Sequence, residues 1–375
     1  MRTRRAALAE FLHAEHTGSI ALLGATAIAL VWANSAWDHG YFDFWATELD
    51  LGVELTRRDW VGEGLMTLFF LVVGLEIRRE LVDGELRDRR RAALPAIAAI
   101  GGMALPSLLY VAIAGTHGRD GWGIPMATDI ALAVGVLRLF RSRVSPSLAV
   151  FLLALAIVDD IGAILVIALF YSDDLDIPAL LAAAVVVLVM TTLRRFGVAS
   201  LIPYAALGVA LWFALYESGV HPTIAGVIVA FLLPTGDDRV ERALHPWTSL
   251  LVVPLFALSH AGVSLSADAL DAAASSRVSW AVFVGLVLGK LIGVAGSTWL
   301  ADRFGAGQLP PDVGGRHLLG VAAIAGIGFT VSLFVTGLAF TDAVRQGEAT
   351  IGVLAASCVA AVLGALLLRT KPAAR

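Results

Sequence analysis

The stretch from Val150 to Tyr171 reads VFLLALAIVDDIGAILVIALFY, an apolar run of membrane-spanning length with two adjacent aspartates, Asp159 and Asp160, near its middle. A helix needs about 20 largely apolar residues to cross the hydrocarbon core of a bilayer. A charge at the centre of such a helix costs roughly 2.5–3.5 kcal/mol on insertion scales. The run therefore constrains the fold twice. It reads as a membrane helix, and its carboxylates must face partners or water instead of lipid.

Similar runs fill the chain. Twelve candidate spans centre on Ile20–Trp32, Leu65–Leu75, Leu94–Ala114, Ile124–Leu139, Leu148–Tyr171, Leu180–Thr192, Leu201–Leu215, Ile224–Leu233, Leu250–Leu265, Trp280–Leu300, Leu318–Ala339 and Ile351–Leu368. Composition agrees: 58% of residues are apolar and 15% charged, with a mean hydropathy of +0.82. Soluble domains are about 45–50% apolar and about 25% charged. The expected fold is a single all-α membrane domain over residues 1–375, with membrane lipid as its surroundings. A net charge of only −4 argues against nucleic acid as a partner. The single cysteine, Cys358, has no intrachain disulfide partner and reads as a small packing residue.

Loop charge tests the span count independently, because Lys and Arg gather in cytoplasmic loops. Connections from odd to even spans hold five arginines: Arg57, Arg58, Arg119, Arg277 and Arg345. The termini and the even-to-odd connections hold twenty-one Lys and Arg residues. This alternation places both termini in the cytoplasm. Residues 1–16 mix basic and acidic side chains with apolar ones and are expected as an amphipathic cytoplasmic surface helix, not a cleaved leader. The segment DDLD (173–176) falls on the other side. So does the longest loop, in which LDLGVEL (49–55) alternates with a period of two, as a small exposed hairpin or an irregular loop would.

Two spans do not read as ordinary helices. The fourth, GWGIPMATDIALAVGVL (121–137), holds Pro125 and then Thr128 and Asp129 at its middle. The eleventh, LGVAAIAGIGFTVSLF (319–334), holds Gly326 and Gly328 there. Backbone that breaks at membrane depth is tolerated only where protein or a water-filled cavity surrounds it. The fourth is central to spans 3–5 and the eleventh to spans 10–12. Paired interruptions in matching positions are the sequence mark of inverted repeats around a transporter binding site.

Four ionisable residues lie inside apolar runs: Asp129, Asp159, Asp160 and Lys290. Neighbours on a helix point about 100° apart, so Asp159 and Asp160 cannot both face one narrow site. One lysine cannot neutralise two aspartates, which leaves a carboxylate available to exchange a proton for a cation. Sodium, a hard cation, suits such oxygen ligands. Lys290 sits in GLVLGKLIG (285–293), whose glycines allow close approach of another helix.

These residues belong to long motifs that resemble the NhaA-type sodium/proton antiporter family. They include TGSIALL (17–23), FFLVVGLEIRRELVDGEL (69–86), IAAIGGM (97–103), ATDIALAVGVL (127–137), LAIVDDIGAILVIALFY (155–171), GVHPTIAGVI (219–228), PLFALSHAGVSL (254–265), GKLIG (289–293) and GIGFTVSLF (326–334). The resemblance covers nearly the whole chain. It implies twelve spans, with the fourth and eleventh unwound and crossing at mid-membrane. It implies pH-regulated exchange of Na+ or Li+ for H+ across a bacterial inner membrane by alternating access, with no enzyme activity. Asp160 would be the principal ion-binding carboxylate, Asp159 its partner, Lys290 the lysine paired with Asp159, and Thr128 and Asp129 part of the unwound crossing. Glu76, Arg79 and Glu80, with Glu63 nearby, would form a cytoplasmic-side cluster linked to pH activation, and His221 would share in the pH response. It further implies a homodimer joined through an extracytoplasmic hairpin at about residues 45–58. One departure is His260, where the family usually has Asn. Facing a funnel it could titrate; packed as a neutral core residue it would do nothing special.

No GxxxxGK[ST] motif is present, so ATP is not expected to drive the exchange, and no cofactor is expected. Rival readings are a carrier of another substrate, an intramembrane aspartyl protease and a homologue without transport. The protease needs two carboxylates on one water, which adjacent helical positions do not supply.

Overall fold

The structure, a computed structural model, describes residues 2–140, 142–172, 175–234, 239–310 and 312–369. Asp173 and Asp174 of the acidic loop, Lys371 and Arg375 lie outside these residues, as do the side chains on which an interfacial placement of residues 1–16 would rest. The described chain is almost entirely helical. A small antiparallel hairpin pairs β1 (Glu48–Asp50) with β2 (Glu54–Thr56), with Leu49 opposite Leu55.

In chain order the helices are α1 (Arg2–Ala33), α2 (Asp38–Ala46), α3 (Arg57–Val82), α4 (Arg89–Ala114), a 3₁₀ segment (Thr116–Met126), α5 (Ile130–Leu139) and α6 (Pro146–Phe170). Then come α7 (Ile177–Arg195), α8 (Ile202–Glu217), α9 (Ile224–Leu232), α10 (Arg239–Trp247), α11 (Val253–His260) and α12 (Ala267–Ser275). The last four are α13 (Arg277–Arg303), α14 (Gly315–Ile324), α15 (Phe329–Ala339) and α16 (Ala343–Leu368).

Among the described residues, α3, α4, α6, α7, α13 and α16 are each long and apolar enough to cross a membrane. Counting each bent pair as one span gives up to nine: Thr17–Ala33 of α1 with α2 (113°), Gly118–Met126 with α5 (43°), and α14 with α15 (44°). The seventh, eighth and ninth expected spans fall on the shorter helices α8, α9 and α11. α1 is helical from Arg2 to Ala33.

Local chemistry explains where the helices start. Ser145 caps α6 by accepting from the Leu148 N–H, with Pro146 in the first turn. Asp88 and Asp176 cap α4 and α7 in the same way. Such caps satisfy N–H groups that have no partner inside the helix. Burial separates central from peripheral helices. About 61% of the most apolar window of α6 and of α13 is buried, against 11% for α7.

α4 and α13 approach closely. A Cβ on Gly293 would stand 2.3 Å from the Gly101 carbonyl oxygen, and one on Gly101 2.4 Å from Ser297 Oγ. No side chain fits at either place, so the backbones touch and Lys290 is sealed between them. Among the described residues, three π-helical turns interrupt the regular helices, at Trp60–Leu65, Thr248–Val252 and Gly285–Gly289. Each adds a residue to its turn and so re-aims the side chains of the next one; such bulges are frequent at functional sites. The third lies directly before Lys290.

Candidate functional site

The two interrupted helices meet at their breaks. Residues 127–129 leave the 3₁₀ segment in extended conformation before α5 begins, and residues 325–328 separate α14 from α15. Gly326 and Gly328 lie within the second break, whereas Pro125 sits just before the first, inside the 3₁₀ segment. The Asp129 N–H donates to the Ile327 carbonyl at 2.6 Å, and the Thr128 hydroxyl lies 2.8 Å from the Ala325 carbonyl. Peptide groups released by one break are thus partnered by the other, as membrane depth requires.

Asp129 is held by both halves. Its Oδ1 accepts from the Leu132 N–H at 3.0 Å, capping α5. Its Oδ2 accepts from the Thr330 N–H at 3.0 Å and the Thr330 hydroxyl at 2.6 Å, at the start of α15. A carboxylate shared by two helix N-termini offsets the positive ends of both helix dipoles. This is compensation, and Asp129 is 2% exposed.

Asp159 and Asp160 diverge as the helical turn demands. Lys290 Nζ donates to Asp159 Oδ2 at 2.5 Å and to the Thr128 hydroxyl at 3.2 Å. The Thr128 hydroxyl is itself 2.7 Å from Asp159 Oδ2. Lys290, Asp159 and Thr128 are all at 0% exposure. Asp159 Oδ1 is buried with no hydrogen-bond partner among the described residues. Asp160, at 7% exposure, lines a cavity of about 70 Å³ together with Thr128, Asp129, Thr330, Glu76 and His245. That space holds several water-sized spheres. One aspartate is locked in an ion pair and the other faces the cavity.

The residues expected as one regulatory cluster separate. Glu76 lines the cavity. Arg79 pairs with Glu241 of α10, and Glu80 accepts from the Glu85 N–H at 3.0 Å. Glu63 is not nearby. It precedes Glu76 by thirteen positions on the same helix, a rise of about 20 Å. There it lies 4.0 Å from His221 Nδ1, and the Trp212 indole donates to its carbonyl at 2.9 Å. His260 does not line the cavity. Its ring stacks on Phe256 at 4.1 Å, and its Nδ1 lies 2.7 Å from the Ser259 hydroxyl.

Sequence reasoning missed His245 and Thr248, which line this cavity, and Glu241, which pairs with Arg79. The signal was the run RVERALHPW (239–247), where charged residues immediately precede an apolar span. The tie of Thr330 to Asp129, which crosses 201 positions, also escaped sequence reasoning.

Fold and site together define a multi-pass helical membrane protein whose buried charges gather where two interrupted helices meet. The family model described as Na+/H+ antiporter 1 matches residues 9–368. The chain is 44% identical to the Na(+)/H(+) antiporter NhaA 3 of Frankia alni, covering 96% of this chain and 88% of that one. It is 44% identical to the Na(+)/H(+) antiporter NhaA of Shewanella frigidimarina over 96% and 95% of the two chains. It is 45% identical to the Na(+)/H(+) antiporter NhaA of Mesorhizobium japonicum over 97% and 95%. The chain belongs to the Na+/H+ antiporter 1 family.

Proposed function

We propose that this protein exchanges Na+ or Li+ for H+ across the bacterial inner membrane by alternating access. The observation that carries this reading is the division of labour on α6: Asp159 is committed to Lys290 and Thr128, while Asp160 faces the cavity. Asp160 is the carboxylate that trades a proton for the cation. Its oxygens, with nearby hydroxyl oxygens and water, suit a hard monovalent ion that must also leave. Asp159 and Lys290 supply a pair whose charge balance responds when the cation arrives.

In this reading the chain crosses the membrane twelve times, with the fourth and eleventh spans crossing each other at mid-membrane as the middles of two inverted repeats. Both termini face the cytoplasm, as the loop charges indicate. The cavity then opens on the cytoplasmic side, where Arg79 and Glu241 sit. Glu76 at its wall and His221 beside Glu63 are candidates for pH regulation. The β1–β2 hairpin is extracytoplasmic and is the candidate contact in a homodimer. No cofactor is needed beyond the two gradients.

The test uses everted membrane vesicles holding a preformed proton gradient and a quenched pH-sensitive dye. Added sodium or lithium dequenches the dye if the protein exchanges them for protons. No response to either cation from mildly acidic to mildly alkaline pH would overturn the reading.

A further inference from the structure

The 3₁₀ segment runs for eleven residues, Thr116–Met126. Runs of 3₁₀ helix longer than three or four residues are uncommon, because their hydrogen bonds are poorly aligned. Something outside the segment therefore has to hold it, and two tyrosines do. The Tyr171 hydroxyl donates to the Asp120 carbonyl at 2.7 Å and accepts from the Gly123 N–H at 3.0 Å. The Tyr110 hydroxyl donates to the Gly118 carbonyl at 2.9 Å. Tyr110 is at 0% exposure and Tyr171 at 8%.

The fit around both hydroxyls is close. A Cβ on Gly121 would lie 2.2 Å from Tyr110 Oη, and one on Gly123 2.7 Å from Tyr171 Oη. Between them Trp122 packs edge-on against Phe170 at 5.2 Å. The glycines at 121 and 123 are what allow the hydroxyls to reach the backbone.

The origins of the two tyrosines give the contact its meaning. Tyr171 immediately follows α6, twelve residues beyond Asp159, or about 18 Å along the axis. Tyr110 lies on α4, which packs against α13 at the level of Lys290. The two helices that frame the Lys290–Asp159 pair thus each send a hydroxyl into the segment leading to Thr128, the residue that closes that pair. Neither tyrosine lines the cavity, whose wall includes Glu76 and Asp160, and Tyr171 lies about 18 Å further along the axis of α6 than Asp159.

We propose that Tyr171, supported by Tyr110, is a positioning latch that fastens the 3₁₀ segment to α6 and α4 and keeps the end of the site remote from the cavity closed. Opening that end during exchange requires the latch to release. The proposal rests on the exchange reading for its kinetic consequence. Tyr171→Phe removes both hydrogen bonds of one hydroxyl while keeping the ring. The arrangement open at the remote end then gains population at the expense of the cavity-facing one. Apparent affinity from the cavity side falls in proportion to the fraction lost.

The experiment compares wild type with Tyr171→Phe in everted vesicles and in an Ile124→Cys, Cys358→Ser background labelled from the extracytoplasmic side with an impermeant maleimide. The expected result is a roughly three- to ten-fold rise in apparent KM for sodium, with maximal rate within about two-fold of wild type, and faster labelling of the cysteine. Unchanged KM and labelling, even with lowered thermal stability, would make the tyrosines purely structural and overturn the latch. If wild type shows no exchange, the exchange reading falls but labelling still decides the latch: faster in Tyr171→Phe supports it, equal rates overturn it. Should Tyr171→Phe fail to accumulate, Tyr110→Phe removes a single hydrogen bond and is read by the same two measurements.

Discussion

Lys290 Nζ lies 2.5 Å from Asp159 Oδ2, and neither residue has any exposure to solvent. A buried pair of this kind gains little net stability over an apolar pair, but removing one partner leaves an uncompensated charge. Lys290→Ala is therefore expected to cost about 3–5 kcal/mol, read as a large drop in melting temperature in detergent. The double variant Lys290→Ala, Asp159→Asn removes the stranded carboxylate and is expected to recover most of that loss. A double variant no more stable than the single one would show that the lysine acts through packing and not through charge.

The neighbouring carboxylate is expected to behave in the opposite way. Asp160 faces the cavity and is not the aspartate bonded to Lys290. Asp160→Asn should abolish sodium-induced dequenching while leaving the melting temperature close to that of wild type. Asp159→Asn should lower the melting temperature, because it leaves Lys290 buried without its counter-charge. If Asp160→Asn retained exchange, the assignment of the exchanging carboxylate would be wrong.

Competition between the two ions for one carboxylate fixes the sign of the pH dependence. A cation binds only the deprotonated form, so its apparent affinity depends on proton concentration. Over the range in which the carboxyl carries a proton, each unit of rising pH should lower the apparent KM for sodium by up to about tenfold per proton displaced, and KM should level off above that range. The measurement is KM in vesicles at a series of pH values with the gradient clamped. A KM independent of pH would exclude a shared carboxylate.

Much of this site was legible in the sequence because charge in an apolar run is conspicuous. Asp129, Asp159, Asp160 and Lys290 stand out by their surroundings, and the structure brings them to one place where the backbone breaks. The glycine spacing 285, 289, 293 foretold a close helix contact, and Gly289 and Gly293 do abut Pro106 and Gly101 of α4. What the sequence hid was long-range pairing. Thr330, Tyr110 and Tyr171 are ordinary residues in apolar segments, and only the fold brings their hydroxyls to Asp129 and to the 3₁₀ segment. Grouping Glu63 with Glu76 failed for a simpler reason. Both lie on one helix, and the rise per residue separates them by about 20 Å. Among the described residues, length and hydropathy pick out six clear helices and up to nine with the bent pairs, against the twelve spans expected.

The Arg79–Glu241 pair tests how far a partly exposed ion pair matters for stability. The Arg79 side chain is 38% exposed and that of Glu241 9%. A partly exposed pair of this kind is worth about 0–1 kcal/mol. Glu241→Gln should shift the melting temperature only slightly and should do so less at high salt. A loss as large as that of Lys290→Ala would mean that the pair holds α10 against α3 more firmly than its exposure implies.

Thr330 provides the final test, because it joins the two breaks through one carboxylate. Asp129 accepts from the Leu132 N–H, the Thr330 N–H and the Thr330 hydroxyl. Thr330→Val keeps the volume and the backbone donor and removes only the hydroxyl. A buried charged acceptor deprived of one donor loses about 1–3 kcal/mol. Thr330→Ser, which retains the hydroxyl, should lose much less. The effect should also depend on the carboxylate charge, so Thr330→Val introduced into Asp129→Asn is expected to cost less than in wild type. That non-additivity is the coupling energy of the pair. Equal losses in both backgrounds would place the contribution of Thr330 in its methyl packing and remove its hydroxyl from the link between α5 and α15.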